Sequence, residues 1–189
     1  MGAIVYRDCL FASNSALNCS HGGGATEAGT HYNSTIVNNY ATHSGGGVYS
    51  GHIYNSILWG NKVGDNIPCS LTTNNVDDYN AFNDIVLTVR YSAVEGGYAG
   101  EGNITLNASN TGNADINYPM FVEPSIAAGA NYSGGNWNLQ DGSVCVNHGS
   151  NSYVNEGELD LNYEVRIQNE TVDMGCFETP YDFDFEIVP

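Results

Sequence analysis

Apolar and polar positions along the first third of the chain repeat in one phase. Three ungapped segments carry it: Asp8-Cys9-Leu10-Phe11-Ala12-Ser13-Asn14, Asn33-Ser34-Thr35-Ile36-Val37-Asn38-Asn39 and Asn55-Ser56-Ile57-Leu58-Trp59-Gly60-Asn61. They start 25 and 22 residues apart, and each runs polar, small, apolar, apolar before closing on Asn. Between them lie Gly22-Gly23-Gly24-Ala25 and Gly45-Gly46-Gly47-Val48-Tyr49, and Gly2-Ala3-Ile4 fits the end of the same element. A circuit of this length accommodates about three short strands with a turn after each, at ~3.3 Å of rise per strand residue.

Successive circuits stacked at ~4.8 Å would bring equivalent residues directly above one another. Leu10, Thr35 and Ile57, and likewise Phe11, Ile36 and Leu58, are then expected as interior stacks. Asn14, Asn39 and Asn61 are expected as a ladder at a turn, where left-handed backbone and amide pairing both suit asparagine. The glycine triplets would supply positive φ and let backbone cross a corner. The predicted fold is all-β, a right-handed parallel β-helix with loop excursions and a C-terminal capping strand. A leucine-rich repeat would need a Leu-x-x-Leu-x-Leu run, which is absent. A β-sandwich leaves the constant phase between glycine triplet and asparagine unexplained.

Beyond the clean repeats the phase is interrupted. Residues 62–84, with Pro68, Asn74-Asn75 and Asp77-Asp78, read as an excursion from one corner, and so do the Gly- and Asn-rich residues 96–115. Strand resumes at Ile85-Val86-Leu87-Thr88-Val89. Residues 1–178 are therefore read as one domain of coils, and 179–189 as an amphipathic strand or linker. In that tail Tyr181-Asp182-Phe183-Asp184-Phe185-Glu186-Ile187 alternates apolar and acidic, which suits a strand that covers the last coil or pairs with another chain.

Composition narrows the function classes. Only Arg7, Lys62, Arg90 and Arg166 are basic, and the net charge is -17. Such a surface repels nucleic acid and anionic lipid, and no apolar run has the ~18 residues of a membrane span. An apolar fraction of 41% argues against disorder, and 23 glycines with abundant Asn argue for many tight turns. The N-terminus lacks a charged segment followed by an apolar one and opens inside an apparent strand, which predicts a longer natural protein. Cys9, Cys19, Cys69, Cys145 and Cys176 show no metal-type spacing; they fit either a disulfide or two, or small apolar residues at strand positions.

Candidate chemistry is thin. A polysaccharide lyase needs a basic catalytic residue with acids or calcium, and four scattered cations assemble no such cluster. Asp77, Asp78, Asp84 and Glu95 could supply a glycosidase pair. Asp77, Asp78 and Asp84 are also the calcium candidates, without a D-x-D-x-D-G loop. His21 and His43 precede successive glycine triplets and His31 and His52 follow a turn later, a pattern that could stack imidazoles. Trp59 and Trp137 are the candidates for stacking on a sugar ring, with Trp59 expected to point outward.

The repeat Gly2-Ala3-Ile4 with Phe11-Ala12-Ser13-Asn14 resembles polymorphic outer-membrane-protein-type β-helices. Tyr91-Ser92-Ala93-Val94-Glu95-Gly96-Gly97, Tyr118-Pro119-Met120-Phe121-Val122-Glu123-Pro124, Trp137-Asn138-Leu139-Gln140-Asp141-Gly142-Ser143-Val144-Cys145-Val146-Asn147-His148-Gly149 and Val172-Asp173-Met174-Gly175-Cys176-Phe177-Glu178 resemble, in order, the C-terminal coils of choice-of-anchor β-helix surface proteins. Val144 stands where that family usually has Pro. The resemblance implies a secreted or cell-surface location outside the bacterial outer membrane and no defined activity. The favoured reading is a non-catalytic, adhesin-like scaffold presenting loops to glycans or to host or cell-surface proteins. The alternative is a fragment of a carbohydrate-active enzyme, a lyase or glycoside hydrolase.

Overall fold

Each repeat breaks into three short strands because two corner residues per repeat hold positive φ. The computed structural model describes residues 4–17, 22–64, 75–77, 87–107, 117–125 and 134–180. The first repeat holds β1 (Val5–Arg7), β2 (Leu10–Ala12) and β3 (Ser15–Ala16). The second holds β4 (Thr30–Tyr32), β5 (Thr35–Val37) and β6 (Tyr40–Ala41), and the third β7 (His52–Tyr54), β8 (Ile57–Trp59) and β9 (Lys62–Val63). Then come β10 (Thr88–Arg90), β11 (Ala93–Glu95) and β12 (Ile104–Leu106), and finally β13 (Phe121–Glu123) and β14 (Asn136–Leu139). The first corner is held by Asp8, Asn33, Asn55 and Tyr91 at φ of 48–50°. The second is held by Ser13, Asn38, Gly60 and Gly96. Asn and Gly are the residues that tolerate this backbone at least cost.

Corresponding strands of successive repeats pair in parallel. Sheet one is β1-β4-β7-β10, sheet two β2-β5-β8-β11-β12 and sheet three β3-β6-β9. The register is the predicted one: Leu10↔Thr35↔Ile57 and Phe11↔Ile36↔Leu58. Both columns were expected inside, and only one is. Neighbours on a strand face opposite ways, so Ile36, Leu58 and Val94 pack with Ile53, Val48 and Val89 between the sheets. Ile57, Val37 and Ala93 face the other way and are covered by Phe121, Trp137, Met174, Cys176 and Phe177. Described residues from β13 onward thus form a second layer whose apolar side chains lie over sheet two. Burial on both faces explains why its strands read Thr-Ile-Val and Ile-Leu-Trp without alternation.

Two side-chain ladders run across the repeats. Asn39 Oδ1 accepts from the Asn14 amide and side chain, and Asn61 Oδ1 accepts from both donors of Asn39, all at 2.9 Å. Asn61 Nδ2 then donates to Asn75 Oδ1 at 2.9 Å, so the predicted excursion returns to supply a fourth rung only 14 residues later. Val76 bridges Val48 beside it, and Val48 bridges Thr26. A second ladder, of serines, follows the first corner. The Ser34 amide donates to Ser56 Oγ, the Ser56 amide to Ser92 Oγ, and the Ser92 amide to Asn103 Oδ1. Each serine hydroxyl donates to the carbonyl two residues back, and the Cys9 thiol does the same in the first repeat.

The glycine triplets serve close approach more than positive φ. A Cβ on Gly24 would collide with the Gly46 carbonyl, while Gly45 is the triplet residue at φ 60° in the later repeat. Residues 96–115, expected as an excursion, carry β12, which pairs with β11 at an offset of 11 residues (Ala93↔Ile104). Strand β10 begins at Thr88, later than the predicted Ile85; Ile85, Val86 and the tail Tyr181–Ile187 lie outside the described residues. Among the described residues no helix is long and apolar enough to cross a membrane.

Candidate functional site

The last position of each sheet-one strand faces away from the core, because the residue before it (Tyr6, His31, Ile53, Val89) points inward. Register places Arg7, Tyr32, Tyr54 and Arg90 in one column across four repeats. Two of the chain's four basic residues thus flank two phenols on one face. The Arg7 guanidinium lies 4.0 Å over the Tyr32 ring, a cation–π contact. Tyr32 stacks on Tyr54 at 5.2 Å, Tyr153 from the covering layer stacks on Tyr54 at 4.4 Å, and Tyr91 approaches Tyr153 at 6.0 Å. The rings cover part of each other's faces and present edges and hydroxyls.

Acids at the rim orient the cations. Arg7 donates to the Tyr153 carbonyl at 3.0 Å and to Glu158 at 3.3 Å. Arg90 pairs with Glu101 at 3.7 Å, and the Tyr91 hydroxyl donates to Glu101 at 2.9 Å. Burial, followed by the neighbouring phenols, pushes the Tyr54 pKa up, and the hydrogen bond to Glu101 does the same for Tyr91. Both phenols therefore remain donors at neutral pH. The column offers guanidinium and hydroxyl donors beside apolar ring edges, a set suited to the hydroxyl and carboxylate groups of a polysaccharide.

Beneath this face a buried arginine fastens the covering layer to the first corner. Arg166 is fully buried; it donates to the carbonyls of Gly175 (2.9 Å) and Asp173 (3.3 Å) and pairs with Glu178 at 3.2 Å. Its Nε approaches Asp8 Oδ1 at 3.5 Å without hydrogen-bond geometry. Burial, with a hydrogen bond to Glu158, raises the Asp8 pKa to about 7, and burial raises Glu178 to about 8 against the pull of Arg166. Burial also raises Asp173. For Glu158 burial pushes upward, but hydrogen bonds from Asp8 and the Asn155 amide and the charge of Arg7 outweigh it, leaving the pKa lowered. One guanidinium faces more carboxyls than it can neutralise, so protons make up the difference. Largely closed from solvent, with Asp8 half-buried at its edge, this cluster is suited to fastening.

The residues singled out from the sequence fall elsewhere. Trp137 is 2% exposed and packs edge-on against Phe121, so its indole faces the core and offers no stacking surface to a sugar. Trp59 points away from the space between the sheets, as expected, yet Tyr118 and Phe121 pack on it and its indole donates to the Asn107 carbonyl. Asp77 is half-buried, and Asp78 and Asp84 lie outside the described residues. No three His, Cys, Asp or Glu side chains among the described residues are grouped to hold a metal ion. Glu95 is buried at the end of the asparagine ladder, accepting from the Gly60 amide at 2.8 Å, with its pKa raised by burial.

His31 and His52 do not stack, since His31 pairs in register with Ile53 and His52 with Thr30. His31 is buried, shares a 2.9 Å hydrogen bond with Thr26 and has its pKa pushed down to about 4 by burial. His43 is exposed beside Thr42, and His21 lies outside the described residues. Cys9, Cys145 and Cys176 are free thiols; burial pushes the latter two up to about 12, which leaves them inert as nucleophiles. Cys19 and Cys69 lie outside the described residues. The tyrosine–arginine column was missed because its members are 25, 22 and 36 residues apart; extending the repeat phase by one position before each first corner would have found it. Compared with protein-family models, curated proteins and solved structures, the chain gives no match.

Proposed function

We propose that the stacked repeats form a right-handed parallel β-helix acting as a non-catalytic, secreted or cell-surface scaffold, and that the outer face of sheet one binds glycan. The observation that carries this reading is the in-register column Arg7–Tyr32–Tyr54–Arg90, built from the few cations of a strongly acidic chain. Three parallel sheets at a common 25- and 22-residue offset support the helical winding. An extracellular, adhesin-like role follows from the family resemblance. Among the described residues no observation favours the enzyme alternative, and the carboxyls around Arg166 are largely closed from solvent.

Glycan arrays followed by calorimetry on the best ligand test this reading. Arg90→Ala and Tyr54→Phe remove donors from the column while leaving the strands paired. Each is expected to weaken binding about tenfold, the scale of one lost hydrogen bond to a charged or phenolic donor. Silence across neutral and acidic glycans would sink the glycan reading. Release of reducing or unsaturated sugars from a bound polysaccharide would sink the non-catalytic one.

A further inference from the structure

Residues 158–167 form a small hairpin in the covering layer with its apolar side outward. Leu159 bridges Val165 in antiparallel fashion, with the Asp160 amide donating to the Glu164 carbonyl and the Arg166 amide to the Glu158 carbonyl. Asp160 braces it from inside: Oδ1 accepts from the amides of Asn162 and Glu164, and Oδ2 from that of Glu178. Asp160 and Arg166 are buried, while Leu159 and Val165 of the bridged pair, Leu161 and Tyr163 of the turn, and Ile167 beyond it point outward. All five are exposed, Tyr163 by 84% and Val165 by 58%. Apolar side chains grouped like this on a braced hairpin mark a docking surface more often than scattered ones do.

The two edges of the hairpin differ. On the Leu159–Leu161 side, the Leu161 amide donates to the Cys176 carbonyl. On the other side, the cross-hairpin pairs consume the Arg166 amide, so those of Val165 and Ile167 face away from the partner strand. That edge is available for strand addition. Its surroundings are acidic: Glu156, Glu164 and Glu170 are exposed around it, and the segment's one arginine is buried. A second copy of a chain at -17, or this chain's own acid-alternating tail Tyr181–Ile187, would bring like charge to the rim.

We propose that the Val165–Ile167 edge docks an extended segment of a partner protein in which apolar residues alternate with lysine or arginine. The apolar residues would cover Tyr163, Val165 and Ile167 while the cations meet the rim glutamates. This surface meets the tyrosine–arginine column at Glu158 but shares none of the residues substituted in the two tests, so the two can fail independently.

The test titrates the full chain with a synthetic peptide alternating Val or Ile with Lys, read by fluorescence anisotropy. The proposal expects saturable binding that weakens as salt rises, loses about tenfold or more with Val165→Asp, and disappears when the peptide's amides are N-methylated on one edge. Val165→Asp should leave the melting temperature unchanged, because the side chain is exposed. Equal binding of a Glu-alternating peptide, binding indifferent to N-methylation, or no binding at all would overturn it. So would a dimer in light scattering that Val165→Asp dissolves, which would make a second copy the occupant. Binding that appears only when residues 181–189 are deleted would make the chain's own tail the occupant and overturn it equally.

Discussion

Replacing Asn61 by Ala removes the central rung of the asparagine ladder, and the cost can be worked from its partners. Asn61 is 1% exposed and makes four hydrogen bonds: two accepted from Asn39, one donated to the Ile36 carbonyl and one to Asn75. At a net ~1 kcal/mol each, with the Asn39 amide left buried and unpaired, Asn61→Ala should cost about 3–5 kcal/mol. Asn14→Ala is the internal control. Asn14 is exposed and its side chain makes a single ladder bond, while its backbone amide still reaches Asn39, so the cost should stay near ~1 kcal/mol. Urea unfolding followed by circular dichroism and by the fluorescence of Trp59 and Trp137 measures both. Coincident transitions establish that one free energy describes the chain, a necessary check in a stacked repeat. An Asn61→Ala cost below about 1.5 kcal/mol, or equal to that of Asn14→Ala, would refute the claim that the ladder is structural.

Two further outcomes follow from the buried arginine cluster. The pKa values of Asp8 and Glu178 are raised in the folded chain, so their contribution is full below the unfolded carboxyl range and is lost as pH climbs through about 7 and about 8. The melting temperature should therefore fall from about pH 4 to about pH 8 and level off above, and a flat or rising profile across that span would refute this. Arg166→Ala strips the only guanidinium facing Asp8, Asp173 and Glu178 among the described residues and should cost about 3–5 kcal/mol. Limited proteolysis should then cut first within residues 134–180, whereas first cuts between β4 and β9 would contradict the fastening role.

The backbone plan was legible because it rests on period. Strand, corner, strand, corner and strand recur in phase, and the register of Leu10, Thr35 and Ile57 followed from counting. Which face each column takes was not legible, since sheet two is apolar on both sides and alternation carries no signal when both faces are buried. The covering layer was the missing partner: nothing in the repeat announces that Phe121, Trp137 and Met174 will lie across Ile57. Trp59 and Trp137 were singled out as large aromatics for the same reason that the fold covers them, Trp137 fully and Trp59 in part, namely the area they remove from water. Arg166 gave no sequence signal, because its partners at positions 8 and 178 meet only through tertiary folding.

Asn75 carries a consequence for how such a chain diversifies. The third repeat obtains its next rung from a residue delivered by the insertion itself, while the strand that resumes the first sheet arrives only at Thr88. Contour length between rungs is therefore a free variable, as long as one amide and one small apolar neighbour return to the corner. A change of chain length that still delivers Asn75 should leave the stack intact, while loss of Asn75 removes the bonds to Asn61 and Glu95 together.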